Sequence, residues 1–92
     1  MARVLTAAGI AHDREVRLTP RDRIDFLCAG GVGIEVKVAG SLAAVTRQMH
    51  RYSQHDDVHS LVLVTTKAAH HAIPRTLGGV PVALFSLIGQ GL

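Results

Sequence analysis

From Val32 to Val38 the chain alternates, with Val32, Ile34, Val36 and Val38 separated by Gly33, Glu35 and Lys37. A period of two predicts a strand: the branched residues share one face, and Glu35 and Lys37 share the other. Arg23 to Cys28 predicts the strand before it, with Asp25 on one side and Ile24 and Phe26 on the opposite side. Gly30 and Gly31 supply the turn, so the two segments form a hairpin that brings Asp25 towards Glu35 and Lys37. Residues 2 to 11 predict a short helix with Val4, Leu5, Ala8 and Ile10 on its apolar side, and His12-Asp13 interrupt that pattern. Glu15 to Leu18 alternates as a first strand, and Thr19-Pro20-Arg21-Asp22 is a turn. Ser41 is placed to cap a helix over about 42 to 54, whose stripe is Leu42, Val45, Met49 and Tyr52. Leu61 to Val64 is a continuous apolar run, the pattern of a central strand covered on both faces. A short helix capped by Thr65 or Thr66 runs through about Ile73, and Val80 to Leu87 is a final strand. A meander followed by a crossover predicts an α/β domain with a mixed sheet flanked by helices.

The candidate chemistry lies on the hairpin. Two carboxylates, Asp25 and Glu35, suit a hard divalent cation such as Mg²⁺, and Lys37 beside them can hold a phosphate or orient a water. A salt-bridged, solvated strand face is the ordinary explanation of Glu-x-Lys on a strand. Two features argue against it here. The flanks are almost wholly apolar, and the chain has only two glutamates, Glu15 and Glu35. Glu15, out of phase with Val16 and Leu18, is a candidate third acidic group, with an arginine salt bridge as its alternative. Gln48 falls at the edge of the helical stripe, and Arg47 and Arg51 lie further round, towards solvent or a nucleic-acid backbone.

Composition narrows the classes. At 92 residues the chain is read as a single domain, residues 1–92. A net charge of +3 is compatible with a polyanion, and 48% hydrophobic residues suggest strands covered on both faces or an oligomer interface. Cys28 stands alone, which excludes a disulfide framework and a thiolate metal site. No apolar run is long enough to span a membrane, and the N-terminus has no signal-peptide core, so the cytoplasm is the expected compartment. His55 and His59, and the adjacent His70-His71, are not spaced on a helix as zinc ligands would be. The cluster Gly30-Gly31-Val32-Gly33 precedes a strand instead of a helix, and no phosphate-cradling Gly-Lys loop is present, so no nucleotide cofactor is expected.

Asp25 followed ten residues later by Glu35-x-Lys37, in the phrase Gly33-Ile34-Glu35-Val36-Lys37-Val38, resembles the signature of the PD-(D/E)XK nuclease superfamily. Gly40-Ser41 then leads into a helix bearing Arg47-Gln48-Met49-His50-Arg51-Tyr52, similar to the Gln-containing helix of many members. The resemblance spans about Glu15 to Val82. One departure is that Arg23-Ile24, not proline, precede Asp25.

The resemblance implies a restriction-endonuclease-like core of order αβββαβ, here with an added αβ. It implies Mg²⁺ or Mn²⁺ held by Asp25, Glu35 and the Val36 main-chain carbonyl, Lys37 positioning the attacking hydroxide, and Gln48 orienting water or phosphate. The activity implied is hydrolysis of DNA phosphodiesters, as in small phage and bacterial members of the VRR-NUC or junction-resolving type. One site per chain then predicts a homodimer, with Val80 to Phe85 as the candidate interface, in a bacterial or phage-infected cell. The rival expectations are a nucleic-acid-binding or assembly module that keeps the fold without cutting, and a structural subunit of a larger complex.

Overall fold

The computed structural model describes residues 1–88. The predicted hairpin is formed by β2 (Arg23–Cys28) and β3 (Val32–Lys37), joined by Gly30 and Gly31 at φ of 80° and 75°. Both glycines adopt the left-handed region that side-chain-bearing residues avoid. The Gly31 carbonyl also accepts from His59 N–H at 2.8 Å, so the turn anchors the start of the next strand.

Before the hairpin lie α1 (Ala2–Ala7) and β1 (His12–Arg17). After it come α2 (Leu42–Ser53), β4 (Ser60–Thr65), a 3₁₀ turn Ala68–Ala72, β5 (Thr76–Leu77) and β6 (Val80–Ser86). The six strands form one mixed sheet in the order β1-β2-β3-β4-β6-β5. The β1–β2–β3 meander is antiparallel, β3, β4 and β6 are parallel, and β5 returns antiparallel to β6. The observed class is therefore α/β, with two α-helices and a mixed six-stranded sheet among the described residues.

Each face of the sheet has its own apolar cluster. On one face α2 packs Val45, Met49 and Tyr52 against Ile24, Leu61, Leu63 and Val82. On the other, Leu5 of α1 packs with Phe26, Cys28, Ile34 and Val64. β4 feeds both clusters, Leu61 and Leu63 one way and Val62 and Val64 the other, as its unbroken apolar run predicts. The short α1 leaves an apolar hollow of about 370 Å³ on its face, lined by Val4, Val62, Val64, Phe85 and others.

The structure corrects several boundaries. α1 stops at Ala7, and Gly9 at φ 72° turns the chain. His12 and Asp13, expected to lie before the first strand, begin β1. The two-residue β5 had no signal in the pattern. The 3₁₀ turn starts after Lys67, whose N–H is taken by the Thr65 hydroxyl oxygen at 3.0 Å. Ser41 caps α2 as predicted, accepting from Ala44 N–H at 3.1 Å.

One correction bears on the site. Ile24 and Phe26 were expected on one side of β2, but they sit in different clusters on opposite faces. The same break occurs in β1. Arg14 lies over the Phe26 ring at 5.9 Å, whereas Val16 packs with the α2-side cluster. Between them Glu15 has φ 52°, the single positive φ outside glycine among the described residues. The alternation of both strands is thus broken at the Glu15/Asp25 level, and Glu15 and Asp25 do not pair although their neighbours do.

Candidate active site

Asp25 is left out of the β2–β3 ladder as well, which stops at Phe26–Ile34. Its backbone N–H instead donates to Glu35 Oε1 at 3.1 Å. Its own carboxylate oxygen Oδ2 accepts from Val36 N–H at 2.8 Å. The two acidic residues are therefore cross-tied, each side chain bonded to the other strand's backbone. In an extended strand a residue's N–H and C=O point to the same edge, so the Val36 carbonyl shares the edge that faces Asp25.

Glu35 is 3% exposed and sits under α2. Lys37 Nζ lies 3.2 Å from Glu35 Oε2 and keeps 24% of its side chain exposed. The Tyr52 hydroxyl, fully buried, stands 3.2 Å from the same Oε2 and 3.0 Å from the Arg23 carbonyl, and shares its one proton between them. Burial, then the charge of Asp25, push the Glu35 carboxyl above its usual range, and the bonds from Asp25 N–H and Lys37 only partly offset this. The Tyr52 phenol is driven well above its ordinary range, chiefly by burial and next by the Glu35 charge, so it remains a donor.

The sequence-derived set is only partly gathered. Asp25, Glu35, Val36 and Lys37 meet. Gln48 is half-buried on α2 and makes no side-chain hydrogen bond among the described residues; Tyr52, one helical turn later, reaches the site instead. Sequence reasoning placed Tyr52 in the apolar stripe, where it is, but its hydroxyl function carried no separate signal. Glu15 is exposed on the edge strand, and among the described residues no three His, Cys, Asp or Glu side chains form a metal-holding group. Arg47 is exposed on the outer side of α2, and Arg51 Nε pairs with the buried Asp22 at 3.0 Å.

A second buried network lies at the end of β4. His70 Nε2–H donates to the Gly40 carbonyl at 2.7 Å, which leaves Nδ1 to accept from the Thr65 hydroxyl, also at 2.7 Å. This clamps the loop leading into α2 to the loop after β4, and it holds in place the helix that carries Tyr52.

Compared with known protein families, with curated proteins and with solved structures, the chain finds no match. The functional reading therefore rests on geometry and chemistry. No described helix is long and apolar enough to cross a membrane.

Proposed function

We propose that this chain is a metal-dependent endonuclease of restriction-endonuclease-like architecture that hydrolyses DNA phosphodiesters. The observation that carries the reading is the convergence of Asp25, Glu35 and Lys37 where β2 and β3 part, beside a backbone edge that the ladder leaves open. The donor set suits Mg²⁺ or Mn²⁺: two carboxylates and the Val36 carbonyl are hard oxygens. The raised pKa of Glu35, due in part to the charge of Asp25, fits as well, because a dication between two carboxylates relieves their repulsion. When bound, such an ion acidifies a water and neutralises charge growing on a phosphate oxygen.

The chain's own residues have separate parts. Glu35, gripped by Tyr52 and the Asp25 amide, is a fixed ligand. Asp25 is half-buried, and its second carboxylate oxygen has no hydrogen-bond partner among the described residues. Lys37, more exposed than Glu35, is placed to hold the scissile phosphate or the attacking water. One chain offers one such site, so cutting both strands of a duplex requires two copies.

A second reading is favoured by one observation: both Glu35 oxygens already have partners inside the protein. A binding module that never cuts would look the same. Incubation with supercoiled plasmid, linear duplex, single strand and four-way junction, each with Mg²⁺ and with EDTA, separates the two. The nuclease reading expects Mg²⁺-dependent products that Asp25→Ala and Lys37→Ala each reduce by at least about a hundredfold, from the size of lost electrostatic stabilisation. Equal cutting by parent and variants, or none by the parent on any substrate, defeats it.

A further inference from the structure

The outer side of α2 forms a cleft of about 440 Å³ with β5, lined by Thr46, Arg47, His50, Arg51 and Leu77. α2 carries no aspartate or glutamate. Thr46 and His50, and Arg47 and Arg51, are each four residues apart, so they stack as two adjacent rows along the helix. The side chains of Arg47 and His50 are exposed and have no hydrogen-bond or ion-pair partner among the described residues. Arg51 is different. Its Nε is bound to Asp22, which is 8% exposed, so the planar guanidinium is held in place while its two Nη groups keep their N–H donors. A pre-oriented guanidinium with a free donor edge matches a phosphate.

The cleft is tied to the candidate active site through the helix. Tyr52, next to Arg51, reaches Glu35 from the buried side of α2. Asp22, the partner of Arg51, precedes Arg23, whose carbonyl lies against the Tyr52 hydroxyl. Arg51 and Asp22 thus join the cleft through the chain to Tyr52 and Arg23, which meet at the Tyr52 hydroxyl beside Glu35.

We infer that this cleft is the seat of the DNA backbone, with duplex phosphates bonded by Arg47, His50 and the Nη edge of Arg51. The identity of the polyanion rests on the nuclease reading; the charge match does not. Phosphate contact sets register without reading sequence, in keeping with a chain whose aromatic content is 3%.

The test is fluorescence anisotropy of a labelled duplex with the full chain in EDTA, so that binding is read without cleavage. Arg47→Glu is compared with Arg3→Glu on α1, which lies on the opposite face of the sheet and changes net charge equally. Arg47→Glu weakens binding by about tenfold or more, adding His50→Glu weakens it further, and Arg3→Glu changes it less than about twofold. Arg47→Ala lowers the slope of log affinity against log salt by about 1. Thermal melts of the variants match the parent, since neither side chain is bonded in the fold. The assignment is overturned if Arg47→Glu binds like the parent, if Arg3→Glu is equally harmful, or if the parent prefers single strands or fails to bind duplex. Tight duplex binding that depends on Arg47 but is never followed by Mg²⁺-dependent cleavage leaves the cleft standing and removes the nuclease reading.

Discussion

Glu35 is the residue on which most of the site's electrostatics converge. It is a buried carboxylate with a like charge nearby, a lysine on one oxygen and a buried phenol beside it. Because its folded pKa is raised, the folded state holds the proton more tightly than the unfolded chain does. Its contribution to stability is thus full below the ordinary carboxylate range and is lost as pH rises through the raised value. Glu35→Gln does not titrate there. The stability of the parent relative to Glu35→Gln therefore falls between pH 4 and pH 8, whatever constant offset the amide introduces. Urea melts of both proteins across that range check the sign, and a difference that stays flat or grows with pH contradicts the assigned burial. The pair Glu35 and Lys37 was legible as two polar residues on one strand face. The grip of Tyr52 was not, because a tyrosine in an apolar stripe looks the same whether or not its hydroxyl has a charged partner.

At the level of strands, the decisive feature is the break at Glu15 and Asp25. Regular alternation would place Ile24 and Phe26 together and pair Asp25 with its neighbours through the ladder. Instead the faces switch, Asp25 is released, and its amide and carboxylate turn to Glu35 and Val36. Glu15 holds the left-handed conformation that makes this possible, at a cost of about 1–2 kcal/mol for a residue with a Cβ. Glycine has no such penalty but loses about 0.5–1 kcal/mol of chain entropy. Glu15→Gly is therefore expected to raise stability by up to about 1 kcal/mol, whereas Asp13→Gly, on the same exposed strand at ordinary φ, lowers it. Urea midpoints decide. Nothing in the composition of Arg14-Glu15-Val16 announces the switch, since glutamate is not a residue that turns favour. The ends of the helices were easier: Ser41 is a cap by chemistry, and Gly9 a stop.

Across the whole molecule, one helix on each face leaves the coverage uneven. α2 seals its side of the sheet, while α1, six residues long, leaves Val4 64% exposed and Phe85 51% exposed on the other. The carboxylates lie under the well-sealed side, where the dielectric is low and any bound charge counts for more. An ion that bridges the two strands at Asp25 and Glu35 should therefore couple to global stability. At Mn²⁺ a hundredfold above its dissociation constant, linkage adds about 2.7 kcal/mol. For a domain of this size that raises Tm by roughly 10 °C or more. Asp25→Ala should abolish the shift, and a parent melt indifferent to Mn²⁺ and Mg²⁺ counts against a metal at this position.

Local patterns alone were enough to place the six principal regular elements after α1's first turn, the cap at Ser41, the doubly covered β4 and the shared face of Glu35 and Lys37, because period, propensity and capping act over a few neighbouring residues. Tertiary structure alone decided that Asp25 leaves the ladder, that Tyr52 rather than Gln48 reaches Glu35, and that Arg51 is held by Asp22. Those outcomes depend on contacts between residues 10 to 29 positions apart. They are set by how strands twist apart and where α2 comes to rest, and no short-range signal encodes either.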